Sequence, residues 1–396
     1  MEAMTSPLPL PAYWSFTPGV TFLNHGSFGA CPVTVRAAQD RIRDRLEQEP
    51  CAFLVRELEP LLDAARARLG AFVGADPDDL AFIPNTTTGI GTVLASLTFA
   101  AGDEVLTTSH VYSAVRNALN RQLEGSGARL VEAPVPFPLE DPAQVVEAVL
   151  AAVTPRTRLA VLDHITSTTA LIFPIQALVL ALRERGVETL VDGAHAPGQV
   201  PLDLAAIDPA YYAGNCHKWL CAPKGSAFLY VRRDLQPNVR PLITSHGASS
   251  PRRDRSRFRL EFDWVGTTDP SAYLAVPSAL ELPIGWGGWD GWMAANHALA
   301  VEARMLITQA LGVSPACPDA MLGAMATIPL PRAAGEGPQP PYFIEPLQDR
   351  LFTRHGIETM VFPWPAWPDR VLRISAQRYN TLADYQKLAE ALLQEL

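Results

Sequence analysis

Apolar and polar residues alternate along the chain in blocks that predict helices and strands in turn. Apolar residues over 32–49 recur at a helical spacing, whereas 187–191 is a continuous apolar run, as in a strand covered on both faces. The predicted strands are 80–83, 105–108, 128–132, 158–163, 187–191, 211–215 and 226–232, and the predicted helices are 32–49, 58–72, 86–99, 112–124, 142–153 and 174–185. Such alternation predicts an α/β fold with a mostly parallel sheet between layers of helices.

The C-terminal part departs from this alternation. Residues 240–263 predict an arginine-rich loop, and the helical stretch 270–311 is interrupted at Gly285–Trp289. Residues 321–330, 342–355, 371–375 and 382–393 then predict a small α+β unit. We therefore expect an N-terminal arm over 1–20, a large domain over 21–287 and a small C-terminal domain over 288–396.

Composition and charge narrow the class of protein. The chain has 396 residues, 48% of them hydrophobic and 18% charged, as is ordinary for a globular enzyme. A net charge of -9 argues against a nucleic-acid or anionic-membrane partner. The sequence shows no apolar stretch of membrane-spanning length and no secretory signal pattern, which predicts a cytoplasmic location. Five cysteines without a C-x-x-C pair predict free thiols in a reducing compartment and no bound metal.

Polar residues follow two of the predicted strands, at the end where a parallel sheet places its ligands. Asp192 and His195 follow 187–191, and Lys218 follows 211–215. A lysine amine can carry the aldehyde of pyridoxal 5'-phosphate (PLP) as a Schiff base, and a carboxylate can hold the pyridine nitrogen protonated. Each residue also has an ordinary alternative, Lys218 as a surface lysine and Asp192 as a helix cap, and Lys224 is a rival lysine.

Two sets of motifs resemble a known family. Asp192-Gly193-Ala194-His195, followed by Asn215-Cys216-His217-Lys218-Trp219, resembles the class V branch of fold-type I PLP enzymes. The segments 23–29 (LNHGSFG) and 163–167 (DHITS) resemble the isopenicillin N epimerase subgroup. The resemblance runs from about residue 20 to the C-terminus. It implies a fold-type I PLP-dependent transferase fold, a mostly parallel sheet sandwiched by helices with a smaller α+β C-terminal domain, and PLP as the cofactor.

The resemblance also implies roles around the cofactor. Lys218 would form the Schiff base, Asp192 would pair with the pyridine nitrogen, and His195 would lie near the phenolic oxygen. Tyr112 is preferred over His110 as the aromatic residue that stacks on the ring. The remaining cofactor-binding residues implied are Thr86, Thr87, Asn215 and His217, with Thr267 and Thr268 reaching the phosphate of a neighbouring subunit. The last pair implies a homodimer with shared active sites, although a helix cap explains the same residues.

On the substrate side, the resemblance implies that Arg373 clamps a carboxylate, with His25, Ser27 and Phe28 beside it. A structural salt bridge is the alternative for Arg373. The implied substrate is a small molecule of amino-acid type, either a free α-amino acid or a peptide-borne aminoadipate.

The reaction is open on sequence alone, because racemisation, transamination and β-elimination all begin with loss of the α-proton. We expect an epimerase in which Lys218 is the base and Tyr112, His25 or His217 is the second acid. The stretch 359–365 lacks the cysteine that desulfurases carry before the clamping arginine, which disfavours a thiol relay. The alternatives are a class V aminotransferase, a cysteine-independent carbon–sulfur lyase and a catalytically silent binding protein.

Overall fold

The computed structural model describes residues 10–340 and 342–396. Residues 1–9 of the predicted arm lie outside the described residues. The described part of the arm begins with a 3-10 helix, Leu10–Tyr13, and the Trp14 ring then contacts Tyr379 at a centroid distance of 5.0 Å. The end of the arm is therefore packed against the C-terminal part of the chain.

Twelve strands occur among the described residues, and seven of them form the central sheet. The strands are β1 (Thr21–Phe22), β2 (Leu80–Ile83), β3 (Glu104–Thr108), β4 (Arg129–Ala133), β5 (Thr157–Asp163), β6 (Glu188–Asp192), β7 (Tyr211–Asn215), β8 (Ala227–Val231), β9 (Met325–Leu330), β10 (Ile357–Glu358), β11 (Met360–Pro363) and β12 (Arg370–Ser375). The central sheet has the order β2-β8-β7-β6-β5-β3-β4. Its neighbouring strands are parallel except at β8, which runs antiparallel to both β2 and β7. The predicted mostly parallel sheet is confirmed.

Helices cover both faces of this sheet. The α-helices among the described residues, the last three of which belong to the C-terminal part, are α1 (His25–Phe28), α2 (Val33–Gln48), α3 (Pro50–Ala52), α4 (Leu58–Val73), α5 (Thr86–Ser96), α6 (Ser113–Leu123), α7 (Ala143–Ala151), α8 (Ile175–Arg183), α9 (Leu204–Ile207), α10 (Arg257–Phe262), α11 (Ser271–Leu274), α12 (Val276–Leu280), α13 (Gly288–Leu311), α14 (Pro346–His355) and α15 (Leu382–Glu395). On β5, Ala160 and Leu162 belong to one buried cluster, whereas Leu159 and Val161 belong to the other. Successive side chains point to opposite faces of a strand, so a sheet with two covered faces needs apolar residues at every position.

The smaller C-terminal sheet is antiparallel and has the order β11-β12-β9, with α13 and α15 packed together beside it. A parallel pair, β1 with β10, joins residues 21–22 to this region. The N-terminal end of the predicted large domain therefore contacts the predicted small domain. The boundary at 287/288 coincides with the start of α13 and stays a prediction.

Two local expectations differ from the structure. The prediction of a loop throughout 240–263 is wrong for Arg257–Phe262, which forms α10, capped by the Ser256 side chain. Here Arg255 and Arg259 pair with Asp63 on α4, so this segment is held by ion pairs with a distant residue that local sequence does not reveal. The helix predicted over 270–311 is divided into α11, α12 and α13.

No helix of the described chain is long and apolar enough to cross a membrane.

Candidate active site

A cavity of about 270 Å³ opens at the carboxyl ends of the central strands. Strands β2, β5, β6 and β7 all end at its wall, because strands that run in one direction bring their ends to one edge. The residues predicted for the site that line it are Ser27, Phe28, Thr86, Thr87, Tyr112, Asp192, His195, Asn215, His217, Lys218 and Arg373. Segments nearly 350 residues apart in sequence thus meet in one cavity.

Lys218 lies in the loop after β7, and its amine is buried in the cavity wall. Burial and the nearby Arg373 guanidinium lower the pKa of Lys218 to about 7, while the Asp192 carboxylate opposes the shift. The Lys218 Nζ atom lies 3.1 Å from His195 Nε2. A large fraction of the amine is therefore neutral at neutral pH, as nucleophilic attack on an aldehyde requires. Lys224 is directed elsewhere, because its Nζ donates to the Gly29 carbonyl at 2.7 Å.

Two carboxyl groups sit side by side at the ends of β5 and β6. Asp163 and Asp192 are paired residues in the strand register, and both line the cavity. The Ala194 backbone N–H donates to Asp192 Oδ1 at 2.9 Å. Burial raises the pKa of Asp192, and burial together with the Asp192 charge raises the pKa of Asp163 well above its usual range. Such a pair of buried carboxyl groups favours a bound cation beside Asp192.

Helix α5 presents its N-terminus at another part of the cavity wall. The Asn85 side chain caps this helix by accepting from Thr88 N at 2.9 Å, and Thr86 N donates to Asn215 Oδ1 at 2.9 Å. The buried Thr86 Oγ1 atom has no hydrogen-bond partner among the described residues. The Nδ1–H of His217 donates to the Ser226 carbonyl at 2.9 Å, which leaves Nε2 for a ligand. An orphaned hydroxyl at a helix N-terminus suits a phosphate group.

Arg373 supplies a buried cation from β12. Its side chain is 2% exposed, with Nη1 donating to the Ser167 carbonyl at 2.6 Å and Nη2 to Ser27 Oγ at 2.8 Å. Its Nε has no partner among the described residues, and burial lowers the pKa of Arg373 to about 10. A desolvated guanidinium surrounded by neutral groups suits a carboxylate, which it can hold through two parallel hydrogen bonds.

His25 lies behind the Lys218 loop and does not line the cavity. Its Nδ1 is 2.9 Å from the Tyr379 hydroxyl and its Nε2 is 3.0 Å from the Lys218 carbonyl oxygen. A Cβ on Gly29, which has a φ of +68°, would come within 2.0 Å of the His217 carbonyl oxygen. The N-terminal segment therefore supports the lysine loop from beneath, which corrects the expected place of His25 beside the substrate.

His110 is also outside the cavity. Its Nδ1 lies 2.7 Å from Thr169 Oγ1 and its Nε2 lies 3.1 Å from the Val135 carbonyl oxygen, so both nitrogens are occupied. Its ring packs on Trp364 at 4.8 Å. Tyr112, by contrast, lines the cavity and is 43% exposed, so of the two candidates it is the one placed to meet a ligand.

Thr267 and Thr268 are exposed and lie outside this cavity. Thr268 instead lines a neighbouring groove with Thr88 and Thr92, both on α5. Their expected contact with a second subunit therefore stays a prediction.

The cavity also includes residues without a predicted role. Asp163 could have been singled out, because it is an acidic residue at the end of a buried strand, as Asp192 is. Met360 and Phe362 lie on β11, a strand that falls between the predicted elements 342–355 and 371–375. The remaining such residues include Asn85, Ile165 and Ser167.

The arrangement fits PLP at each of its functional groups. The buried amine of Lys218 suits the aldehyde, the acid pair at Asp192 suits a protonated ring nitrogen, and the Thr86 hydroxyl suits the phosphate. Arg373 remains for the carboxylate of a second molecule. A cofactor and an amino acid can thus share this cavity.

Comparisons with known proteins agree with this assignment. Residues 53–311 match the family model described as aminotransferase class-V. The chain is 38% identical to isopenicillin N epimerase of Amycolatopsis lactamdurans, with 96% of each chain covered, and 32% identical to putative L-cysteine desulfhydrase 2 of Oryza sativa subsp. japonica, covering 94% of this chain and 84% of the relative. The solved complex of the cystine C-S lyase C-DES with cysteine persulfide matches with a TM-score of 0.76 at 20% identity, covering 95% of this chain and 97% of that one. The chain therefore belongs to the class-V aminotransferase family, as an enzyme whose cofactor is pyridoxal 5'-phosphate.

Proposed function

We propose that this enzyme is an amino-acid epimerase, which removes the α-proton of its substrate and returns a proton to the opposite face. The observation that carries the proposal is that two side chains able to transfer a proton, Lys218 and Tyr112, line the cavity on either side of the strand that ends at Asp192. Lys218 follows β7 and Tyr112 follows β3, and these strands lie on opposite sides of β6 in the sheet. The similarity to isopenicillin N epimerase supports the same assignment.

Each cavity residue has a distinct task in this proposal. When bound, PLP supplies an aromatic ring that delocalises the electron pair left at the α-carbon. Asp192 holds the proton on the ring nitrogen, and Arg373 orients the substrate through its carboxylate. Lys218 Nζ takes the α-proton, which a pKa of about 7 allows it to do near neutral pH. The Tyr112 hydroxyl delivers the new proton from the other side.

The mouth of the cavity supports a substrate that extends outwards. Phe28 is 73% exposed and Tyr112 is 43% exposed, although both line the cavity. A free α-amino acid would fit within, and a peptide-borne aminoadipate would place its far end outside, past Phe28.

A carbon–sulfur lyase is the second candidate, because a relative at 32% identity is a putative L-cysteine desulfhydrase. It would share the first proton transfer to Lys218 and then expel the sulfur substituent. Cys216 and Cys221 flank Lys218 but are fully buried, and neither is among the residues that line the cavity. A lyase using this cavity would therefore act without either thiol. A class V aminotransferase would also share the first step.

Turnover in deuterium oxide separates these reactions. With L-α-aminoadipate, we expect deuterium at the α-carbon together with the D-enantiomer and no stoichiometric keto acid. Tyr112→Phe should retain deuterium exchange into the L-enantiomer while losing most of the inversion. Sulfide and pyruvate from L-cysteine, with no inversion of any amino acid offered, would instead establish the lyase, and stoichiometric keto acid would establish transamination.

We also propose a homodimer in which Thr267 and Thr268 face the active site of the other subunit. The groove beside them is largely apolar, and its rim includes the exposed residues Leu242, Ile243 and Val265. An exposed apolar rim next to polar threonines suits a second copy of the chain, since apolar surface is stabilised by burial.

All five cysteines are free, in line with the predicted cytoplasmic location.

The dimer can be tested by placing a charge in this groove. We expect Ile243→Glu to convert the dimer to monomer in analytical ultracentrifugation, because a buried unpaired carboxylate is costly. Leu393→Glu, at a similarly exposed position on α15, should leave the mass unchanged. A wild-type protein that sediments as a monomer at all concentrations would exclude the proposal.

A further inference from the structure

Trp219 directly follows the cofactor lysine and is fully buried. Its indole Nε1 donates to His195 Nδ1 at 3.4 Å, and His195 Nε2 lies 3.1 Å from Lys218 Nζ. The three side chains therefore form one chain of hydrogen bonds that ends at the reactive amine.

The direction of this chain follows from the chemistry of its members. An indole nitrogen can only donate, so His195 Nδ1 must accept with its lone pair. Burial and the charges of Lys218 and Arg373 lower the pKa of His195 well below its usual value, so the imidazole is neutral and carries a single proton. That proton must then be on Nε2, the nitrogen that faces Lys218.

A hydrogen-bond donor at His195 Nε2 favours one protonation state of the Lys218 side chain. A neutral amine has a lone pair that accepts from Nε2–H, whereas an ammonium group has only donors. The backbone at Gly198 also lies close to the backbone of Trp219. A Cβ on Gly198, which has a φ of +84°, would lie 2.7 Å from the Trp219 carbonyl carbon. The loop that carries His195 thus lies directly against Trp219.

We propose that Trp219 is a positioning residue that fixes the tautomer of His195, so that Nε2–H faces Lys218 and favours its free amine. The inference rests on the proposed role of Lys218 but holds for an epimerase and a lyase alike. It assigns to Trp219 a part in loading the cofactor, beyond its contribution to packing.

The tautomer can be read directly in the wild-type protein. In apoprotein labelled with ¹⁵N-histidine, the His195 signals, assigned by their loss in His195→Gln, should show an unprotonated Nδ1 and a protonated Nε2. This measurement requires no turnover, so it stays informative if the proposed reaction is wrong. Protonation at Nδ1 would overturn the inference.

The consequence for Lys218 can be measured as the pH dependence of PLP capture. The rate at which apoprotein develops the absorption of bound PLP should rise as the Lys218 amine loses its proton. In Trp219→Phe, Nδ1 loses its donor and Nε2 can present a lone pair to an ammonium group, which raises the pKa of Lys218. The midpoint of the capture rate should therefore move up by about one pH unit, the shift expected for the loss of one hydrogen bond.

A matched control separates this effect from packing. Trp292 is equally buried, but its Nε1 has no partner among the described residues, so Trp292→Phe should not move the midpoint. The other charged or titratable groups of the cavity are the same in both variants: Tyr112, Asp163, Asp192, His217 and Arg373.

A second background tests whether the effect passes through His195. In His195→Leu, the further change Trp219→Phe should leave the midpoint where it is, since no polar side chain remains between Trp219 and Lys218. An equal shift in both backgrounds, or an unshifted midpoint in a folded Trp219→Phe protein, would overturn the inference.

Discussion

Lys218→Ala is expected to abolish the covalent attachment of PLP and to lower turnover by about 10³-fold or more, because it removes both the attachment point and the proposed base. The amine of Lys218 is buried in the cavity and has a pKa of about 7, which makes it reactive at neutral pH. The measurement is borohydride reduction of the PLP-loaded protein, followed by mass spectrometry of the labelled peptide.

Lys224→Ala is the matched control for this experiment. Lys224 lies six residues along the same segment, and its amine is held by the Gly29 carbonyl instead of facing the cavity. The variant should keep the label and most of the activity. A label found on Lys224 would mean that the attachment site is misassigned.

Arg373→Ala should lower kcat/KM for an α-amino acid by on the order of 10²–10³-fold. Truncating one partner of a buried charge pair costs about 2–5 kcal/mol, and the Arg373 guanidinium is contacted by neutral groups that cannot replace a carboxylate. Arg373→Lys should recover part of the loss, because lysine keeps the charge but not the two parallel donors. Steady-state kinetics with one amino acid provide the comparison.

The control is a change of substrate. The control ligand is the amine that corresponds to the same amino acid without its α-carboxylate. It should bind with the same affinity to the wild type and to Arg373→Ala, as measured by the change in absorption of bound PLP. If both ligands weaken equally, Arg373 supports the cavity as a whole and does not clamp the carboxylate.

Much of the large sheet could be predicted because its strands are short apolar runs covered on both faces. The strand 80–83 has the predicted bounds, and 158–163 is extended by one residue. Polar residues directly after such runs then identify the cavity, since a parallel sheet gathers these ends at one edge. Asp192 and Lys218 were found in this way.

What could not be predicted depends on partners distant in the chain. Strands β1 and β10 have two residues each and exist only because they pair with one another across more than 330 positions. The position of His25 behind the lysine loop depends on Tyr379, and the burial of His110 depends on Trp364. No local pattern in the sequence indicates any of these pairings.

The hydrogen bonds of His25 connect the two ends of the chain to its middle, where the reactive lysine lies. During synthesis on the ribosome, residue 218 emerges long before Arg373 and Tyr379 do. A growing chain that has already folded its large sheet thus still lacks both the carboxylate clamp and one support of the lysine loop. The complete active site can therefore form only after Arg373 and Tyr379 have themselves left the ribosome.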